Sequence, residues 1–217
     1  TVLEASQKLA KRTDGAFDVT VGPFVRRWRV ARFTQKLPSS EKLALAGKAV
    51  GYQKLELFSK EHAVKAILPN MALDLGGIAK GYAVDKVLAV LRRSGISSAL
   101  VDGGGDLVFG DPPPGRNGWR IEVGGRKHPD LPMLELADQA VATSGDVEQF
   151  VEIDRKRYSH IIDPETGLGL TMQLQVTVIA PTGMEADSLA SALSVLGPEK
   201  GAEFLKQRPH VQAYFLN

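Results

Sequence analysis

Apolar residues along this chain follow two rhythms, a helical one of three to four residues and an alternating one of two. Val2, Leu3, Ala5, Leu9 and Ala10 form a helical stripe ending near Thr13-Asp14-Gly15. FDVTV at 17–21 alternates and is rich in β-branched residues, which predicts a strand. Pro23 suits a first helical turn, and Phe24, Val25, Trp28 and Val30 continue from it. A polar loop over 34–40 leads to a short helix capped by Ser39 or Ser40, with Leu43, Ala44, Ala46 and Val50 inward. KLELF (54–58) and AVKAI (63–67) flank a polar turn and predict a hairpin.

The chain then reaches LDLGGIAKGYAVDK, residues 73–86. Leu73-Asp74-Leu75 alternates, Gly76 and Gly77 follow, and Ile78, Ala79, Tyr82, Ala83, Val87, Leu88, Val90 and Leu91 recur at helical spacing. The pattern predicts a strand, a tight turn and an amphipathic helix running to Arg93, closed by Ser94-Gly95. Two glycines permit unusual dihedrals and close approach of a ligand. A helix start offers unpaired N–H groups and the positive end of the dipole, which suit a phosphate. Lys80, in the first turn, is unfavourable for the helix alone, and an anionic partner would remove that objection. An ordinary strand-to-helix connection with a solvated lysine accounts for this stretch equally well.

ISSALVDGGGDLVFG reads as strand, three glycines and strand, which excludes a dinucleotide fingerprint because no helix follows the glycines. DPPPG at 111–115 is a rigid loop and a subdomain seam near 111–118. WRIEVGG, MLEL and AVATS are short strands. EQFVEIDRKRYSHIID predicts a hairpin turning at Asp154 to Lys156, its second strand ending at Asp163-Pro164. LQVTVIA (174–180) is a buried-type strand, Met184 to Leu196 a helix, Pro198 opens another, and VQAYF closes the chain. Strands outnumber helices and come in runs, so the expected fold is α+β with a mixed, largely antiparallel sheet and flanking helices.

Composition narrows the picture only modestly. At 217 residues, 43% hydrophobic and 24% charged, the chain is ordinary globular material. A net charge of +2 without like-charge blocks is too small to argue for nucleic acid. No apolar run is long enough to cross a bilayer. The absence of cysteine excludes disulfides, thiolate catalysis and cysteine-ligated zinc. Thr1 falls inside a helical pattern and the chain stops just after a strand-like run, so it reads as one domain, 1–217, truncated at both ends.

Few residues carry candidate chemistry. In MEADSLASALSVL, Asp187 and Ser191 are four apart and share a helix face, while Leu189, Ala192, Leu193 and Leu196 pack elsewhere. A carboxylate and a hydroxyl so placed are hard oxygen ligands of the kind magnesium takes. A first-turn aspartate helped by the dipole, beside a serine bonded back to a carbonyl, is the competing reading. His160 lies in RYSHIIDPETG with Ser159, Asp163 and Thr166 nearby, and imidazole suits proton acceptance near neutral pH. Asp18 and Asp74 sit within FDV and LDL, where a charge is costly unless it is paired, binding something or facing water from an edge.

Together the blocks DGAFDVTVGPFVRRW, LDLGGIAKGYAVDK, LVDGGGDL, VATSGDVEQF, RYSHIIDPETG and VTVIAPTGMEADSLASALSVLG resemble the ApbE-type FAD:protein FMN transferases, in that family's order. The resemblance implies an enzyme that takes FAD and attaches FMN through a phosphoester to a threonine of a target protein, releasing AMP. It places FAD contacts on Ala16, Phe17, Asp18, Asp74, Lys80 and Ile161. It places magnesium on Asp187, Ser191 and the backbone carbonyl of Gly77, and the transfer histidine on His160. Relatives usually carry threonine or a second acid around Ser191, and some have aspartate where this chain has Ala190. An early flavin-contacting segment ahead of Thr1 is expected from the family and absent here.

The implied partners are FAD and acceptor flavoprotein subunits with a threonine-containing motif, without nucleic acid. Membrane association is expected only through a lipid anchor absent from this chain, as a periplasmic or cell-envelope lipoprotein. Two alternatives stand beside transfer. With water in place of threonine the site becomes a magnesium-dependent FAD pyrophosphatase giving FMN and AMP, and without turnover it becomes an FAD-binding protein.

Overall fold

A computed structural model describes residues 1–124, 128, 130–131, 133–145 and 149–217. Gly125 of WRIEVGG lies outside the described residues, as do Asp146, Val147 and Glu148 of VATSGDVEQF, the last of which also begins EQFVEIDRKRYSHIID. The helices are α1 (Val2–Arg12), α2 (Gly22–Thr34), α3 (Ser40–Gly47), α4 (Ala79–Arg93) and α5 (Gly183–Leu205). The strands are β1 (Leu55–Phe58), β2 (Ala63–Ala66), β3 (Leu100–Asp102), β4 (Leu107–Phe109), β5 (Trp119–Glu122) and β6 (Met133–Leu136). They continue with β7 (Ala140–Ser144), β8 (Phe150–Ile153), β9 (Lys156–Ser159), β10 (Gln175–Ala180) and β11 (Gln212–Leu216). All their pairings are antiparallel, so the α+β class expected from the sequence stands. The chain forms two compact units, Thr1–Leu75 with Gly145–Gln173 and Gly76–Ser144 with Leu174–Asn217. Residues 111–118 fall inside the second.

The first unit closes around an apolar cluster of Phe24, Trp28 and Ala31 from α2, Leu43 and Ala46 from α3, and Val151, Ile153, Tyr158 and Ile162. Trp28 packs on Tyr158 with ring centroids 5.2 Å apart, and its Nε1 donates to the Gly167 carbonyl at 2.8 Å. That bond ties α2 to the DPETG turn, which Asp163 organises by accepting from the Glu165 amide and the Thr166 hydroxyl, each at 2.9 Å. Gly167 sits at φ 71, where a Cβ would lie 2.5 Å from the Phe24 ring. Gly167→Ala is therefore expected to cost about 2–4 kcal/mol, read by urea denaturation followed through Trp28 fluorescence.

Several sequence expectations fail here for identifiable reasons. FDVTV is not a strand, because short side chains capture the amides a sheet would use. Thr13 Oγ1 accepts from the Phe17 amide at 3.2 Å, and Asp18 Oδ1 accepts from the Thr20 amide at 2.7 Å. LDL is not a strand either. The two stretches meet through one parallel bridge, Val21 with Ala72, and one bond from the Asp74 amide to the Val19 carbonyl at 2.7 Å. The hairpin at β8–β9 turns at Asp154 and Arg155 as expected, but β9 ends at Ser159, short of Asp163. Ser39 is the α3 cap, and Ala44 is exposed while Ala49 is buried in its stead.

The second unit is a five-stranded sheet in the order β11-β10-β7-β4-β3. Along β10, Ile179 pairs with Val141 of β7 on one face, where Phe109 and Leu136 complete a cluster. On the other face Val178 opposes Ala142, and Ala180 opposes Ala140. Small residues there let α5 lie close against the strands. Gly197, at φ 73 and followed by Pro198, breaks α5 into the two helical pieces that the sequence suggests. Helix α4 buries Gly81, Val84 and Leu88, and Ile78 just before it is buried too, while Val87 and Val90 of the expected stripe are exposed. The buried face is set by where α4 meets α5, and that meeting point organises the site.

Candidate active site

Helices α4 and α5 approach through glycine on glycine. A Cβ on Gly81 would lie 2.0 Å from the Gly183 carbonyl oxygen, and one on Gly183 would lie 2.6 Å from that of Gly81. One turn beyond each glycine stands an aspartate, in Gly81-Tyr82-Ala83-Val84-Asp85 and Gly183-Met184-Glu185-Ala186-Asp187. Each carboxylate accepts from the amides opening the other helix. Asp187 Oδ2 takes the Gly81 N–H at 3.0 Å, while Asp85 takes those of Gly183 at 2.7 Å and Met184 at 2.9 Å. The dipole reading of Asp187 is thereby altered: it serves the dipole of the neighbouring helix.

This changes the expected phosphate cradle as well. Neither Gly76 nor Gly77 has a positive φ. The left-handed turn falls instead at Gly104 and Gly105, whose amides both donate to Asp102 Oδ1 at 2.9 Å. The Gly81 amide in the first turn of α4 is engaged by Asp187, so it is not an open donor.

Lys80, about half exposed, places Nζ 2.8 Å from Oδ2 of the buried Asp106. Burial works against its charge, but the bond to Asp106 and the charges of Asp106 and Asp187 outweigh that and hold the ammonium above its ordinary value. Burial raises Asp106, with Lys80 opposing. Asp187, 3% exposed, is pushed up to about 6 by burial and then by the charge of Asp106, against the N–H groups it accepts. Two buried carboxylates thus share one lysine, an arrangement that a further cation would relieve.

Asp187 and Ser191 do lie on one face of α5, and Ser191 Oγ is 3.4 Å from Ser144 Oγ at the end of β7. Ala190 is fully buried, so its position offers nothing to a ligand. Among the described residues no three His, Asp or Glu side chains gather into a metal cluster. The donors that the sequence assigned, the Asp187 carboxylate, the Ser191 hydroxyl and the Gly77 carbonyl, are all hard oxygens, the type that fits magnesium.

The raised carboxyl of Asp187 has a consequence for metal-free protein. The folded chain keeps a proton that the unfolded chain, at the ordinary 3.8, has released. This stabilisation is full below pH about 4 and is lost as pH rises through about 6, amounting to no more than about 3 kcal/mol. Urea denaturation in chelator at pH 4.5 and 7 is expected to show that component in the parent chain and not in Asp187→Asn.

The remaining predicted residues belong to the first unit. Phe17 and Asp18 are buried and Ala16 is half-buried. The Asp18 carboxylate, raised chiefly by burial, accepts from the amide and hydroxyl of Thr20, and Thr20 Oγ1 accepts from the Gly51 amide at 2.7 Å. Asp18 therefore shapes the loop. Asp74 is partly buried, with Arg29 Nη2 3.9 Å away. His160 is exposed, and its Nδ1 lies 3.0 Å from the Gln149 carbonyl. A carbonyl only accepts, so Nδ1 carries the proton and Nε2 the lone pair. Ser159 Oγ accepts from the Ile161 amide at 3.1 Å, which fixes the chain beside the ring. Asp163 and Thr166 bond within their own turn rather than orienting the imidazole.

Asp85, Asp106 and Ser144 were not singled out from sequence. The repeated Gly-x-x-x-Asp was visible and marks Asp85, whereas Asp106 and Ser144 become apparent only once β4 and β7 are paired.

The five-stranded sheet thus carries a helix pair whose carboxylates, lysine and hydroxyls gather at one place. The chain belongs to the ApbE family, whose pattern matches residues 1–215. It is 34% identical over 218 residues to the FAD:protein FMN transferase of Escherichia coli K12, covering 95% of this chain and 61% of that protein. The FAD:protein FMN transferase of Treponema pallidum is 34% identical over 233 residues, covering 99% of this chain and 64% of its own length. The crystal structure of Pseudomonas stutzeri flavinyl transferase ApbE in its apo form superposes with a TM-score of 0.84 at 34% identity, covering 99% of this chain and 67% of that one. The chain thus spans less than two thirds of the length of these two curated relatives.

Proposed function

We propose that the protein containing this chain transfers FMN from FAD to a threonine hydroxyl of an acceptor flavoprotein, with AMP leaving, in a magnesium-dependent reaction. Family membership together with the Lys80, Asp106 and Asp187 charge cluster carries the reading. Phosphoryl transfer asks little covalent work of a protein beyond positioning and charge neutralisation. Lys80 supplies a cation at the start of α4, fixed by Asp106, for the diphosphate of FAD. Asp187 and Ser191, with the Gly77 carbonyl, would hold magnesium, which when bound supplies Lewis-acid stabilisation of phosphate charge. His160 Nε2 takes the proton of the attacking threonine hydroxyl. A new P–O bond forms to that oxygen and the bond to AMP breaks. Ala16, Phe17, Asp18, Asp74 and Ile161 are assigned to flavin and ribityl contacts, through backbone where the side chain is buried.

The test is direct. Full-length protein with FAD, magnesium and an acceptor flavoprotein is expected to give a fluorescent flavin band on a denaturing gel, and chelator is expected to abolish it. Free FMN and AMP without a labelled acceptor would make it a pyrophosphatase, and unchanged FAD a binder. A cell-envelope location is part of the same proposal, and cell fractionation tests it.

A further inference from the structure

We propose that Asp85 is a positioning residue for the metal donors Asp187 and Ser191, acting through the first turn of α5; the proposal rests on the magnesium reading above. A helix start leaves its first amides without an acceptor inside the helix. In α5, Asp85 takes Gly183 and Met184, and the Thr182 hydroxyl takes Glu185 at 3.2 Å, before the Thr182 carbonyl accepts the first helical bond from Ala186 at 2.9 Å. Two of these three capping bonds therefore come from another helix. Asp187 is the next residue in, and it returns the same service to α4. The glycine contact lets the two backbones touch but does not by itself fix the rotation of one helix on the other. Two charged caps running in opposite directions across that contact do fix it, and with it the direction in which Asp187 and Ser191 present their oxygens.

Asp85 borders a cleft of about 280 Å³ lined also by Leu88, Arg92, Asp138 and Thr182, and none of the assigned roles uses it. Carboxylates that orient ligand-bearing elements commonly govern metal affinity, a change there costing about 10–100-fold.

The experiment is a Mn²⁺ titration of full-length protein in the presence of FAD, followed by the EPR signal of free ion, with melting temperature measured alongside. Asp187→Ala is expected to lose binding. Asp85→Ala is expected to weaken it about 10–100-fold, and Asp85→Asn, which keeps one acceptor oxygen, by less. Arg92→Ala, which breaks the ion pair with Asp138 across the same cleft, is expected to leave affinity unchanged. Should Asp85→Ala fail to fold, Asp85→Asn carries the comparison. A lowered melting temperature with unaltered Mn²⁺ affinity in the folded Asp85 variants would reduce Asp85 to a stabilising cap and overturn the proposal. Equal loss in Arg92→Ala would overturn it too. If parent protein and Asp187→Ala titrate alike, the magnesium reading itself falls, and this proposal with it.

Discussion

His160→Ala is expected to cut transfer of FMN to an acceptor by about 10²–10⁴-fold while leaving FAD binding intact. The expectation rests on how the ring is held. Its Nδ1 is committed to the Gln149 carbonyl, and its own amide donates to that same oxygen at 3.1 Å. The neighbouring amide of Ser159 is tied to the Leu170 carbonyl at 2.7 Å, so the backbone on that side is fixed. With the proton on Nδ1, Nε2 is the nitrogen that can accept one, and the residue is exposed. Calorimetry with FAD and the gel assay separate the two effects. Transfer undiminished in the variant would remove His160 from the mechanism, and lost FAD affinity would move it into the binding set.

Gly81→Ala is the substitution expected to damage the fold most. Its Cβ would lie 2.0 Å from the Gly183 carbonyl oxygen, 2.4 Å from its carbon and 2.8 Å from Asp187 Cβ. Two of those atoms are backbone in the facing helix, so no rotamer change relieves the overlap. The helices must separate, and both reciprocal caps are strained together. A loss above about 4 kcal/mol is expected, with metal affinity falling in whatever fraction still folds. Urea denaturation monitored by circular dichroism measures it. A loss under about 1 kcal/mol, the ordinary range for an uncrowded helix position, would show that the crossing is looser than described.

Long periodic segments were legible in the chain because burial on one face writes itself into spacing. Helices α1, α2 and α3 and strands β7, β10 and β11 follow from such patterns. FDVTV and LDL misled because alternation describes side chains, whereas Asp18 and Thr13 decided the matter by capturing backbone amides. The stripe on α4 misled in another way. Val87 and Val90 are as apolar as Val84, but only Val84 falls on the side where Gly81 admits α5. Asp187 and Ser191 were singled out by their spacing. Their surroundings, Asp106 and Ser144, come from strands far away in sequence, and no local pattern reports that.

Both units are discontinuous in sequence, and this has a bearing on synthesis at the ribosome. Trp28 and Phe24 emerge early, yet the residues that cover them, Val151, Ile153, Tyr158 and Ile162, come only after the whole of 76–144 has been made. The sheet of the second unit likewise waits for β10 and β11 near the end of the chain. Nascent polypeptide therefore exposes two unfinished hydrophobic surfaces until β9 and β11, respectively, have been made, a demand on chaperones that a domain with contiguous halves would escape.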